Sequence, residues 1–297
     1  KDDGVDTGVV NVLGDYTITA DGGLVGGGDI EVADTHNLTV SQQTGTISTF
    51  RGNIGSATDP NTSTFTFTGG GELILGGGTN QMTVAFLDIV DGQISLDGSE
   101  LLDNDISVNV GGLGAIAILD DLADPSNVRQ ESINALSGTG AIYLGQNTLN
   151  VENGGSFQGQ FFGSGNVNVA NGSFTINDVT STDGGLVVSN AAGTTVSQGS
   201  TVDVNAVSVA GGAQMNVAGS GTGVGDISRV VSNDMVVQTG ARLHMGLGSY
   251  SAGAEGFSVI EADSIVINGE FAGSGTLEAD TITVSGTSSA APANIRP

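Results

Sequence analysis

Three observations predict an all-β fold built from stacked coils, a solenoid. Apolar and polar residues alternate in short runs along nearly the whole chain, glycine-rich steps recur ahead of those runs, and large side chains are scarce. Alternation with a period of two places every second side chain on one face, the signature of a strand. Runs of three to five residues built from Val, Ile and Thr imply a narrow core repeated many times.

The runs follow in order. Tyr16-x-Ile18-x-Ala20, Ile30-x-Val32, Leu38-x-Val40, Phe65-x-Phe67, Leu73-x-Leu75 and Met82-x-Val84 fill the first third. Ile94-x-Leu96, Ile106-x-Val108-x-Val110, Leu149-x-Val151, Val167-x-Val169 and Phe174-x-Ile176 fill the second. Val202-x-Val204, Val207-x-Val209, Met215-x-Val217, Ile265-x-Ile267 and Ile282-x-Val284 complete the series. Between them lie Asp21-Gly22, Asp91-Gly92, Asp97-Gly98, Asn153-Gly154, Asn171-Gly172, Asp183-Gly184 and Asn268-Gly269. Such dipeptides supply positive φ at low cost. They also mark antiparallel hairpins, so the turns alone leave the architecture open.

The repeat narrows it. Gly26-Gly27-Gly28-Asp29-Ile30-Glu31-Val32 returns as Gly69-Gly70-Gly71-Glu72-Leu73-Ile74-Leu75 and as Gly138-Thr139-Gly140-Ala141-Ile142-Tyr143-Leu144. Further copies are Gly163-Ser164-Gly165-Asn166-Val167-Asn168-Val169 and Gly273-Ser274-Gly275-Thr276-Leu277-Glu278-Ala279. Variable intervals fit parallel coils of about 20–25 residues carrying insertions, each coil contacting only its neighbours. One solenoid domain is expected over residues 1–287, with a tail at 288–297. Within it, Asp124 before Pro125, then Val128, Ile133, Leu136 and Gly138, predicts one short helical insertion at about 120–137.

The segment from Val266 to Leu277, with Asn268-Gly269 and Gly273-Ser274-Gly275, resembles the coils of autotransporter passengers and related large secreted adhesins of Gram-negative bacteria. Leu149 to Val169 is similar, and the resemblance in style covers most of the chain. It implies a right-handed parallel β-helix displayed on, or released from, the cell surface. The C-terminal membrane barrel of that family has no counterpart in these 297 residues.

Composition excludes several functions. A net charge of −26, with Lys1, Arg51, Arg129, Arg229, Arg242 and Arg296 widely scattered, is unsuited to nucleic acid or anionic lipid. No Cys is present, which removes disulfides, thiolate metal sites and a cysteine nucleophile. The longest apolar run, Gly111 to Leu119, is about half a membrane span. The first residue is Lys1, which fits a trimmed chain or a mature form that has lost a signal peptide.

Catalytic constellations are not assembled. His36 and His244 are the two histidines; His36 falls at a turn and His244 alternates with Leu243 and Met245. There is no nucleophile elbow, phosphate loop or histidine metal spacing. Asp103 with Asp105, and Asp120 with Asp121, are the acid pairs a glycosidase would need. Aromatic platforms and basic residues are scarce around them, so no enzyme and no catalytic residues are expected. Calcium is the one cofactor that the oxygen-rich composition admits, and no ligands are assigned to it. The run Gly221 to Asp226 resembles a calcium-binding Gly-Asp repeat in a single copy.

The expected function is extracellular structural or adhesive work, as a self-associating surface fibre or biofilm-matrix subunit. Alternatives are a glycan- or host-binding adhesin module, a polysaccharide-degrading β-helix enzyme and a phage tail-spike part. A coil stack has open strand edges at its ends that invite pairing. The candidate self-association residues are Val9, Val10, Val12, Tyr16 and Ile18 at one end, and Val284, Ala290, Ala291 and Pro292 at the other. The expected partners are other copies, joined end to end, with glycan or cell surface as further candidates.

Overall fold

In the computed structural model the alternating runs become strands, and the strands stack in parallel rows. The structure describes residues 9–23, 25–55, 62–76, 81–177, 179–180, 184–189, 192–196, 200–218, 227–246, 258–273, 275–287 and 294–296, with backbone alone at 179–180 and 294–296. Among them the protein is all-β, with long parallel sheets in a solenoid-like arrangement. It divides into two compact units, Lys1–Asn150 and Val151–Pro297.

Three rows of strands build the first unit. One joins Val9–Val12, Asp29–Val32, Ile54–Gly55 and Met82–Thr83. A second runs from Tyr16–Ala20 through Asn37–Gln42, Thr64–Thr68, Phe86–Leu96 and Ser107–Ile118 to Ala135–Gly138. The third joins Val25–Gly26, Ile47–Phe50 and Glu72–Leu75, then the later halves of the two long strands, then Ala141–Gly145. Paired positions recur at intervals of 20 residues (Val12 to Val32) to 28 residues (Val108 to Leu136). The Asp-Gly dipeptide at Asp91-Gly92 therefore turns a coil corner inside one long strand, where the register shifts, rather than closing a hairpin.

The second unit also has three rows. One starts at Gly154–Phe157 and passes through Ser173–Ile176, Gly193–Val196, Gln214–Val217 and Arg242–Met245 to Glu270–Gly273. Another runs from Asn166–Val169 to the later part of Thr276–Val284. The third runs from Gln160–Gly163 to Asn294–Arg296. Its intervals stretch from 17 residues (Ile267 to Val284) to 30 (Val237 to Ile267).

Parallel pairing in register puts like side chains on top of one another. Leu38, Phe65, Leu87, Val108 and Leu136 form one inward column, and all are buried. Met215, Leu243 and Phe271 do the same in the second unit. Each such side chain contributes roughly 1.5–3 kcal/mol by leaving water. Buried amides satisfy carbonyls where the ladder is interrupted. Gln81 Nε2 donates to the Phe50 and Gly52 carbonyls at 2.8 and 2.7 Å, and Asn147 Nδ2 donates to the Ile118 carbonyl at 2.9 Å.

The recurrent Gly-x-Gly step has a steric cause. Gly138 has φ +110°, and a Cβ there would lie 2.1 Å from the Val110 carbonyl oxygen of the coil below. Gly273 repeats this at φ +103°, with 1.9 Å to the Met245 oxygen. The turn dipeptides are less uniform than expected: Gly92, Gly154 and Gly172 have positive φ, whereas Gly22, Gly98 and Gly269 do not.

No helix forms at 120–137, which corrects the expected insertion. Asp121 Oδ1 accepts the Ala123 and Asp124 N–H groups at 3.0 and 3.2 Å, and Asp124 Oδ1 accepts the Ser126 N–H at 3.1 Å. These side-chain turns take the amides a helix would use, the competition that Asp, Asn and Ser bring to the backbone. Leu122 and Val128 are exposed, so no apolar helix face exists to be buried. The remainder becomes the strands Gln130–Ile133 and Ala135–Gly138.

Candidate functional site

The first coil of the first unit presents the feature that the sequence points to. Val9–Val12, Tyr16–Ala20 and Val25–Gly26 are each paired on one side only among the described residues. Their inward side chains continue core columns: Val10 pairs with Ile30, Val12 with Val32, Tyr16 with Leu38 and Ile18 with Val40. Val12 is buried and Ile18 half-buried, but Val10 is 59% and Tyr16 62% exposed. The core is thus cut across at this end. Leu13, Val25 and Ile47 are also exposed there. Sequence reasoning missed these three, because none sits in an alternating pair. Asp15, the nearest acid, is committed to the next coil: its Oδ1 accepts the Asn37 N–H at 2.9 Å and lies 3.7 Å from His36 Nδ1.

The last coil of the second unit is similar in kind. Val284 pairs with the wholly buried Ile267 yet is 44% exposed, and Ile282, over Ile265, is half-buried. Ala290, Ala291 and Pro292 lie outside the described residues. The backbone of Asn294–Arg296 pairs with Thr276–Glu278.

The catalytic candidates are not brought together. Asp103 Oδ1 accepts the Asp105 N–H at 3.0 Å, a turn role. Asp120 Oδ1 accepts from Gln146 N–H and Asn147 Nδ2 at 3.1 and 3.0 Å. Asp121 is held below the usual carboxylate range, first by the Asn127 amide at 2.9 Å and then by the turn N–H groups. His36 follows a turn and His244 is half-buried on the strand Arg242–Met245. Among the described residues no three His, Asp or Glu side chains group as a metal site. The run Gly221 to Asp226 lies outside them. No described helix is long and apolar enough to cross a membrane. Cations tie neighbouring coils: Arg242 Nε lies 3.0 Å from Glu270, and Arg229 bonds Glu261.

Two further features were not legible in the sequence. Glu131 is wholly buried, and its two oxygens accept the Leu101 and Leu102 N–H groups at 3.1 and 2.6 Å. Burial raises its pKa to about 8, against the lowering effect of those donors, and Glu100 adds to the rise. An open trough also crosses the first unit over Gly45, Gly70, Gly71 and Gly92, flanked by Ile47 and Leu113. Glu72 and Gln93 line it, and the wholly buried Ser95 ties the two: its Oγ donates to Glu72 Oε1 at 2.6 Å and accepts from Gln93 Nε2 at 2.7 Å.

Comparison with known proteins yields no match of this chain to any protein family, curated protein or solved structure.

Proposed function

We propose that this chain is an extracellular structural or adhesive protein, a right-handed parallel β-helix of the autotransporter-passenger kind whose copies associate end to end as a surface fibre or matrix subunit. One observation carries the reading: Tyr16 occupies a core column over Leu38 and yet is 62% exposed. Unpaired N–H and C=O groups beside an exposed apolar column form a template for another strand. On the last coil of the second unit, Val284 over Ile267 offers the complementary edge of a parallel ladder. Two different patches that fit one another give head-to-tail contacts, which run on into filaments unless the rotation closes them into a ring.

Deleting residues 1–13 and, separately, 288–297 tests this, with assembly followed by sedimentation and electron microscopy. The parent protein is expected to form concentration-dependent linear assemblies, and each truncation to shorten them. A parent that stays monomeric at high concentration with calcium present, or truncated proteins that polymerise like the parent, would end the proposal.

The trough favours a second reading, a glycan-binding module. Glu72 and Gln93 line it, each fixed by a hydrogen bond to the buried Ser95, and supply an acceptor and a donor on an open surface. In that case Glu72→Gln lowers binding in a glycan array and leaves assembly unchanged.

A further inference from the structure

A cavity of about 230 Å³ lies within the first coils of the first unit, walled by Ile18, Ile30, Val40, Phe50, Phe65 and Leu73. Its origin is a change of residue size in one column. Ile142, Ile116, Ile94 and Leu73 stack in register facing inward, and the next level holds Ser48. In the neighbouring column Phe50 is followed by Gly26, and the Phe50 ring itself takes up the position of a Gly26 side chain, so the shortfall lies at Ser48. The core therefore narrows in side-chain volume while the backbone rows continue at the same spacing, and a space remains. Its mouth is marked by Val25, which is 89% exposed, beside the half-buried Thr49.

Water is a poor occupant. A water needs two to four polar partners, and about 30 Å³ is its share of the liquid. The wall offers the hydroxyls of Ser48 and Thr49, and Ser48 is already partnered. No charged residue lines it. An apolar cavity of about 150 Å³ stays dry and admits benzene, so this one has room for more than a single ring. The wall draws on three successive coils, Ile18 to Val40 to Phe65, which gives a depth of roughly two inter-strand spacings of about 4.8 Å. An uncharged space that reaches across three coils, with the exposed Val25 on its lining, suits an extended chain rather than a flat ring system.

We propose that this cavity binds the alkyl chain of a small neutral amphiphile, with the polar end left at the mouth by Val25 and Thr49. The proposal does not depend on assembly, and it is tested on dilute, monomeric protein. The probes are the primary n-alcohols from butanol to dodecanol, followed by NMR transfer of magnetisation to the Ile18, Val40 and Leu73 methyl groups and by the rise in melting temperature.

Affinity should grow about fourfold per methylene, the transfer value for hydrocarbon, and then stop growing once the chain outruns the cavity. Ser48→Leu restores the residue size found at Leu73, and it should weaken octanol at least tenfold. Val40→Phe fills the space from another row and serves if the first variant does not fold. Absence of saturable binding overturns the proposal. So does affinity that climbs through dodecanol without a limit, the mark of a surface patch, or undiminished octanol binding in a folded variant. Octanol binding that appears only in assembled protein places the site between copies rather than in this cavity, and that result also overturns it.

Discussion

The Leu102 N–H donates to Glu131 Oε1 across 2.6 Å, inside a part of the first unit from which solvent is wholly excluded. Leu102 bridges Met82 in the row that begins at Val9–Val12. The carboxyl group thus stands in for backbone acceptors where the strand row gives out. Satisfying the amides required burying an acid, and burial favours its neutral form.

The sign of the pH effect follows. Glu131 has its pKa raised from 4.5 to about 8 on folding, so the folded chain binds the proton more tightly than the unfolded chain. Its contribution is complete below pH 4.5 and is lost as pH rises toward 8, by up to about 5 kcal/mol at 1.36 kcal/mol per unit. Glu131→Gln should remove this slope while keeping an acceptor for one of the two amides. Urea unfolding at pH 5 and pH 9 checks it, and parallel stability curves for the two proteins would refute the assignment.

Gly138→Ala should destabilise the first unit by about 1–3 kcal/mol, the range for a residue forced into a sparsely populated backbone conformation. The Val110 carbonyl accepts the Thr139 and Gly140 N–H groups at 2.8 and 2.9 Å, so the corner has no room to retreat. Thr139→Ala, one residue on, is the control and should stay within about 0.5 kcal/mol. Equal melting temperatures for the two variants would contradict the steric account.

Phe67→Ala removes a wholly buried ring between Val40 and Ile89 in one column. The expected loss is about 3–5 kcal/mol, since the rows on either side hold the backbone apart and limit collapse. Native-state hydrogen exchange should show faster opening of Asn37–Gln42 and Phe86–Leu96 first, because coils contact chiefly their neighbours. Uniform acceleration across both units would argue against that locality.

Much of this was legible, and for a definite reason. A parallel stack repeats one demand at every level, an apolar residue facing inward and a polar one outward, so Phe65-x-Phe67 and Leu73-x-Leu75 announce their strands directly. Gly138 and Gly273 were visible because the close approach they permit leaves no other residue type. The length of Phe86–Leu96 was hidden because Asp91-Gly92 looks the same whether it closes a hairpin or turns a corner within a strand. The helix expected at 120–137 failed on a similar ambiguity. Asp before Pro caps a helix or closes a side-chain turn, and only the missing apolar face at Leu122 and Val128 separates the two. Glu131 carried no signal at all. Its role depends on Leu101 and Leu102, which come close to it only after the intervening coil has closed.

The N-terminal edge allows a test by charge as well as by deletion. Tyr16 and Val10 point along core columns but are more than half exposed, so replacing either with a charged residue should leave stability of the isolated protein within about 0.5 kcal/mol. A charge on an inward position of an edge strand must be buried if another strand pairs there, which is how natural edges are kept from pairing. Tyr16→Lys and Tyr16→Asp should therefore both reduce end-to-end association. The opposite signs are informative because the chain carries a net charge of −26. General repulsion between acidic copies would be eased by the lysine and worsened by the aspartate. Burial at a strand joint would instead penalise both, and the lysine's penalty would persist at high salt, where screening shortens to about 3 Å at 1 M. Sedimentation velocity across protein concentration and salt reads the difference. If Tyr16→Lys assembles as well as the parent at 1 M salt, Tyr16 does not lie in a joint between copies.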